Sequence, residues 1–132
     1  MRTDRHAVGD GQRVGTETPR TLSAGTMIGD KVVNAYGEDL GKIEELMIDL
    51  ETTRVAYAVL SFGGLLGIGD KLFAIPLEAL RLDAENHRFV LDIDRERLEQ
   101  APGFDKDEWP EADDLEYRTE IFTFYGHDPY WK

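Results

Sequence analysis

Cysteine is absent from this 132-residue chain, which removes disulfides, thiolate zinc sites and thiol catalysis from consideration. No apolar run approaches the ~18 residues that a membrane span needs, and the N-terminus lacks the apolar stretch of a signal peptide. Positive charge is scarce. Fifteen Lys and Arg face 27 Asp and Glu, for a formal net charge of −12. A field of that sign repels phosphate backbones and anionic lipid, and favours cationic partners or simple solubility. The expectation is a cytoplasmic protein with no membrane span and no nucleic-acid partner.

The first 21 residues have almost no large apolar side chains. They hold four arginines (Arg2, Arg5, Arg13, Arg20) against Asp4, Asp10 and Glu17, a balance of +1 that leaves −13 for the remainder. Such a stretch cannot offset the entropy of ordering, so 1–21 is expected to be a disordered leader.

From Leu22 the texture changes to short β-branched runs divided by turn signals. Lys31–Asn34 reads as a strand and Tyr36–Asp39 as a turn. Lys42–Leu50 reads as a second strand, its phase shifted by a bulge at Glu44-Glu45. After the turn Glu51–Arg54, Val55–Phe62 is apolar on both faces, the pattern of a central strand covered on both sides. Leu72–Ile75 and Phe89–Ile93 are further strands, with Pro76 ending the first. Short strands on short turns predict a small closed or nearly closed barrel, since closure removes exposed edges.

Beyond Asp94 the period lengthens. Asp94 reads as an N-cap with Leu98 and Ala101 inward. The stretch from Gly103 to Ala112 reads as irregular. A second helix starts with Asp113 and Glu116 at capping-box spacing, ends at Gly126 as a C′ glycine, and places Tyr117, Ile121, Phe124 and Tyr125 on one face. Residues 94–132 thus form a helical and aromatic extension to the 22–93 barrel.

The stretch Ser61–Pro76, "SFGGLLGIGDKLFAIP", invites comparison with phosphate-binding loops. Gly64 and Gly69 have the P-loop's four-residue separation, but Asp70 stands where lysine is required and Lys71 where a hydroxyl must meet magnesium. An aspartate there repels phosphates, and the strand that follows supplies no helix dipole. The stretch reads as a connection between strands. Leu65, Leu66 and Ile68 on it are candidate contact residues, because exposed apolar side chains on a loop often mark an interface.

The segment Asp105–Glu116 resembles a calcium loop, with carboxylates at Asp105, Asp107, Asp113 and Glu116. Trp109 replaces an oxygen ligand, however, and Pro110 replaces the glycine of the sharp turn. That departs from an EF-hand and leaves a weak divalent-cation site as the alternative reading. His6, His87 and His127 show no ligand spacing and no nucleophile dyad. The aromatic tail, with Phe124, Tyr125, Tyr130 and Trp131, either covers one end of the barrel or docks on a second subunit.

The order and spacing of several pieces resemble the PRC-barrel domain family. They are Gly37-Glu38, Gly41-Lys42-Ile43, Ile48-Asp49 and Tyr57-Ala58-Val59, then the run from Gly63-Gly64 to Lys71, Ala74-Ile75-Pro76 and Ala79-Leu80. That module occurs in the cytoplasmic part of the reaction-centre H subunit and at the C-terminus of a ribosome-maturation factor. "APGFDKDEWPEADD" and "YGHDPYW" are similar to the tails of stand-alone bacterial members. The resemblance implies a mainly β, six-stranded barrel with a C-terminal helical extension, used for assembly. It implies no catalytic residues and no cofactor. The expected partners are another protein or a second copy of the chain, contacted through Leu65, Leu66, Ile68, Phe124, Tyr125, Tyr130 and Trp131.

Overall fold

The longest strands, β2 (Asp39–Asp49) and β3 (Arg54–Ser61), form an antiparallel hairpin at the middle of one mixed sheet. The structure is a computed structural model that describes residues 20–62, 71–111 and 113–131. The other strands are β1 (Lys31–Val33), β4 (Lys71–Ile75), β5 (Leu80–Asp83), β6 (Arg88–Leu91) and β7 (Gly103–Asp105). Three short α-helices accompany them, α1 (Ala24–Met27), α2 (Arg95–Glu99) and α3 (Leu115–Phe124), with single 3-10 turns at Leu77–Ala79 and Ala84–Asn86. The spatial order is β5-β6-β1-β2-β3-β4-β7. β1 and β6 run parallel, and the other neighbours run antiparallel.

β3 takes its central place because both its faces are apolar. It gives Leu60 to one core cluster, with Leu40, Ile43, Phe73, Phe89 and Leu98. It gives Ala56, Tyr57 and Val59 to the other, with Leu72, Phe104, Ile121 and Phe122. The β2–β3 register slips between Ile43 and Glu45, where the bulge was expected, and again between Met47 and Ile48. Near the start of β2, Gly41 has φ +124°, and a Cβ there would overlap the Ser61 carbonyl oxygen. Only glycine allows the two strands to approach so closely.

The sheet has seven strands where six were expected. Among the described residues its outer strands, β5 and β7, are not paired with each other, so the expected barrel closure is not observed. Two strands, β5 and β7, are not among those read from the sequence, and β7 lies in a segment read as irregular. β7 pairs Gly103 with Phe73 and Phe104 with Leu72. A Cβ on Gly103 would sit 2.8 Å from the Leu72 carbonyl oxygen and 2.9 Å from the Phe73 ring. Gly103 and Asp105, residues of low strand propensity on either side of Phe104, are held there by this close tertiary fit, which local propensity does not register.

α2 buries Leu98 as expected and begins after Asp94, whose side chain makes no capping hydrogen bond. α3 is capped by Asp114 and not by Asp113: Asp114 Oδ1 accepts from the Tyr117 amide at 3.0 Å. Its most buried side chains are Ile121 and Phe122, so its inner face is rotated towards Phe122 relative to the predicted one. Gly126, at φ +78°, closes the helix as expected. The Gly126 amide donates to Thr123 O and the His127 amide to Phe122 O, both bonds of a Schellman motif. That turn sends residues 127–131 back over the sheet.

Candidate interaction surface

Asp49 ends β2 and is almost fully buried, at 8 % exposure. Its Oδ1 accepts from the backbone amides of Glu51 at 2.9 Å and Thr52 at 3.3 Å, which shapes the β2–β3 turn. Its Oδ2 accepts from Tyr130 Oη at 2.6 Å and from Arg118 Nη1 at 3.3 Å. One carboxylate therefore joins the hairpin turn, α3 and the C-terminal tail. The Tyr130 hydrogen bond, aided by the turn amides, outweighs desolvation and lowers the Asp49 pKa to about 2. Burial raises the pKa of Tyr130, and the bond to Asp49 reinforces the shift.

Cations and aromatic rings complete this anchorage. The Arg54 guanidinium lies 4.4 Å from the Tyr130 ring centroid, and that of Arg118 lies 5.8 Å from the Trp131 ring, within cation–π range. Trp131 meets Phe122 edge-to-face at 5.2 Å and Tyr130 at 4.9 Å. Phe124 stacks beneath Arg97 at 4.2 Å and against Tyr125 at 4.9 Å. In this structure Phe124, Tyr125, Tyr130 and Trp131 thus pack on their own sheet and helix.

The anchored tail forms one wall of a groove of about 660 Å³, lined by Ile48, Leu50, Leu115 and Trp131 with Asp49 and Arg118 between them. Leu50 is 86 % exposed, Ile48 51 % and Leu115 47 %. Strand alternation explains how apolar groups come to face outwards here. After the second register slip Asp49 points inward, so its strand neighbour Ile48 points to solvent, and Leu50 follows exposed as the first residue of the turn. Glu51 and Asp113 border the groove. A second groove shares Leu115 and Trp131 with it and is bordered by Asp114, Glu116 and Glu120.

The other residues singled out in the sequence are dispersed. Leu65, Leu66 and Ile68 lie outside the described residues, as does His6. Asp105 pairs with Lys71 at the sheet edge, Asp107 is exposed in the following turn, and Asp113 and Glu116 flank the start of α3. Among the described residues, no group of three or more His, Asp or Glu side chains is placed to hold a metal ion. No helix among them is long and apolar enough to cross a membrane.

Asp49 and the Ile48–Leu50–Leu115 surface were not among the expected site residues. The sequence does carry a trace of them in Ile48-Asp49-Leu50, where a charge interrupts an apolar run at the end of a strand. The partners that give Asp49 its role lie 69 and 81 positions away.

A mixed sheet with a helix and an aromatic tail clamped on one face defines a small β-module that presents a surface groove. The PRC-barrel domain family matches residues 19–98, and the chain belongs to that family. A search of curated proteins found no match.

Proposed function

We propose that this protein is a non-enzymatic assembly module that works in the cytoplasm by binding another protein. The observation that carries this reading is the gathering of exposed apolar side chains from the end of β2, the turn after it and α3 on one groove. Of the five large apolar side chains exposed among the described residues, three (Ile48, Leu50 and Leu115) line it. Scattered exposed apolar residues need no explanation, but a contiguous set bordered by polar groups is the usual mark of a contact surface. Self-association is part of the proposal, through surfaces that include Leu65, Leu66 and Ile68.

Affinity capture from native cells tests the reading, comparing the intact chain with a Leu50→Ser/Leu115→Ser variant, alongside sedimentation velocity of both. A partner or an oligomer that is lost in the variant supports it. A monomer whose captured proteins are the same with and without the groove side chains overturns it.

A further inference from the structure

We infer that the groove between the β2–β3 turn and α3 accepts a cationic amphipathic segment of a partner protein. This rests on the assembly reading above and specifies the chemistry of the partner. The groove has apolar walls, Ile48 and Leu50 on one side and Leu115 and Trp131 on the other. Its volume lies within the range that encloses small-molecule-sized groups, which suits a few apolar side chains of a peptide.

The border selects the sign of the partner's charge. Glu51 and Asp113 edge the groove itself. Asp114, Glu116 and Glu120 edge the adjoining groove across Leu115 and Trp131. The guanidinium in the wall, Arg118, is already engaged with the buried Asp49 carboxylate. An incoming segment therefore meets apolar surface surrounded by carboxylates. Lysine or arginine side chains flanking one apolar stripe complement that arrangement.

The same charges argue against the other occupants. A second copy would set acidic border against acidic border, in a chain of net charge −12, and like charges across an interface are costly. Nucleic acid and anionic membrane are repelled for the same reason. The chain's own residues 1–19 contain Arg2, Arg5 and Arg13, so the test must distinguish them from a separate partner.

The test is fluorescence anisotropy on the full chain at near-physiological salt. The probe is a labelled amphipathic peptide of Lys, Leu and Ala, and the control is a scrambled isomer that breaks up its leucine stripe. Binding of the probe should weaken about tenfold or more in Leu50→Ser/Leu115→Ser. Glu51→Gln/Asp113→Asn should weaken binding and flatten its salt dependence. Glu96→Gln/Glu99→Gln, on α2 and away from the groove, should leave it unchanged. Circular dichroism should show every variant folded.

Equal binding of the scrambled peptide, or equal loss with the α2 pair, overturns the proposal in favour of unspecific charge attraction. A wild-type dimer dissolved by Leu50→Ser assigns the groove to a second copy and also overturns it. Peptide binding that tightens about tenfold on deletion of residues 1–19 assigns the groove to the chain's own arginine-bearing segment, with the same result. If the peptide fails but groove variants still lose a native partner, the cationic chemistry is wrong and the assembly reading stands.

Discussion

Tyr130 Oη donates a 2.6 Å hydrogen bond to Asp49 Oδ2 across 81 positions of sequence. The bond closes the C-terminal tail on the β2–β3 turn and places Trp131 in the wall of the groove. Tyr130→Phe should keep the ring packing and lose the bond. The expected outcome is a lower melting temperature and a red-shifted Trp131 emission, read against a Trp109→Phe background so that Trp131 alone reports. An unchanged emission would mean that ring packing alone holds the tail.

Acid should release the same contact. Asp49 has a folded-state pKa of about 2 against an ordinary value of 3.8. The folded value lies below the unfolded one, so the stabilisation is complete above about pH 4 and is lost as the pH falls through about 2. Urea midpoints measured down this range should converge for wild type and Asp49→Asn at the acid end and separate above it.

Core and groove positions should respond differently to substitution. Phe122 is fully buried between the sheet and the tail. Phe122→Ala should cost about 3–5 kcal/mol in urea unfolding. Leu50→Ser, at a largely exposed position, should stay within about 0.5 kcal/mol of wild type. A large loss at Leu50 would show that it supports the fold and is not held in reserve for a partner.

Tyr125 offers a stabilising change. Its hydroxyl oxygen is buried and has no hydrogen-bond partner among the described residues, and burial pushes its pKa upward. Tyr125→Phe removes an unsatisfied polar group while keeping the ring on Phe124. Stability should rise by about 1 kcal/mol, seen as a higher urea midpoint at constant slope.

A second gain is expected in the β2–β3 turn. Thr53 adopts φ +63°, a left-handed conformation that is unfavourable for a β-branched residue and tolerated by asparagine. Thr53→Asn should stabilise by about 1 kcal/mol in the same assay.

What was legible in the sequence was mostly local. β3 declared itself because apolar residues occupy both its faces. The bulge at Glu44 showed as a break in alternation, and Gly126 as the residue that ends a helix. β7 was missed because Gly103 is held by the Phe73 ring and the Leu72 carbonyl, neither of which is adjacent to it in the chain. Asp49 carried the ordinary signature of a turn-forming aspartate, and it does bond to the turn amides. Its second role needed Arg118 and Tyr130, brought in by the fold. Leu50 looked like any strand leucine, but β2 ends one residue earlier at Asp49 and leaves Leu50 exposed at the start of the turn. The tail's aromatics were found as a group, but composition alone did not decide between their own sheet and a neighbour's.

The parallel pairing of β1 with β6 has a consequence for the order in which the chain can fold. β1 to β4 can form from neighbouring hairpins and the connection before β4, with contacts close in sequence. The remaining edge of β1 is filled by Phe89 and Val90, opposite Val32 and Val33. During synthesis that edge stays open until β6 has emerged, and pairings so distant in sequence form slowly. The nascent chain therefore passes through an interval in which β1 presents unpaired backbone to any strand that can reach it.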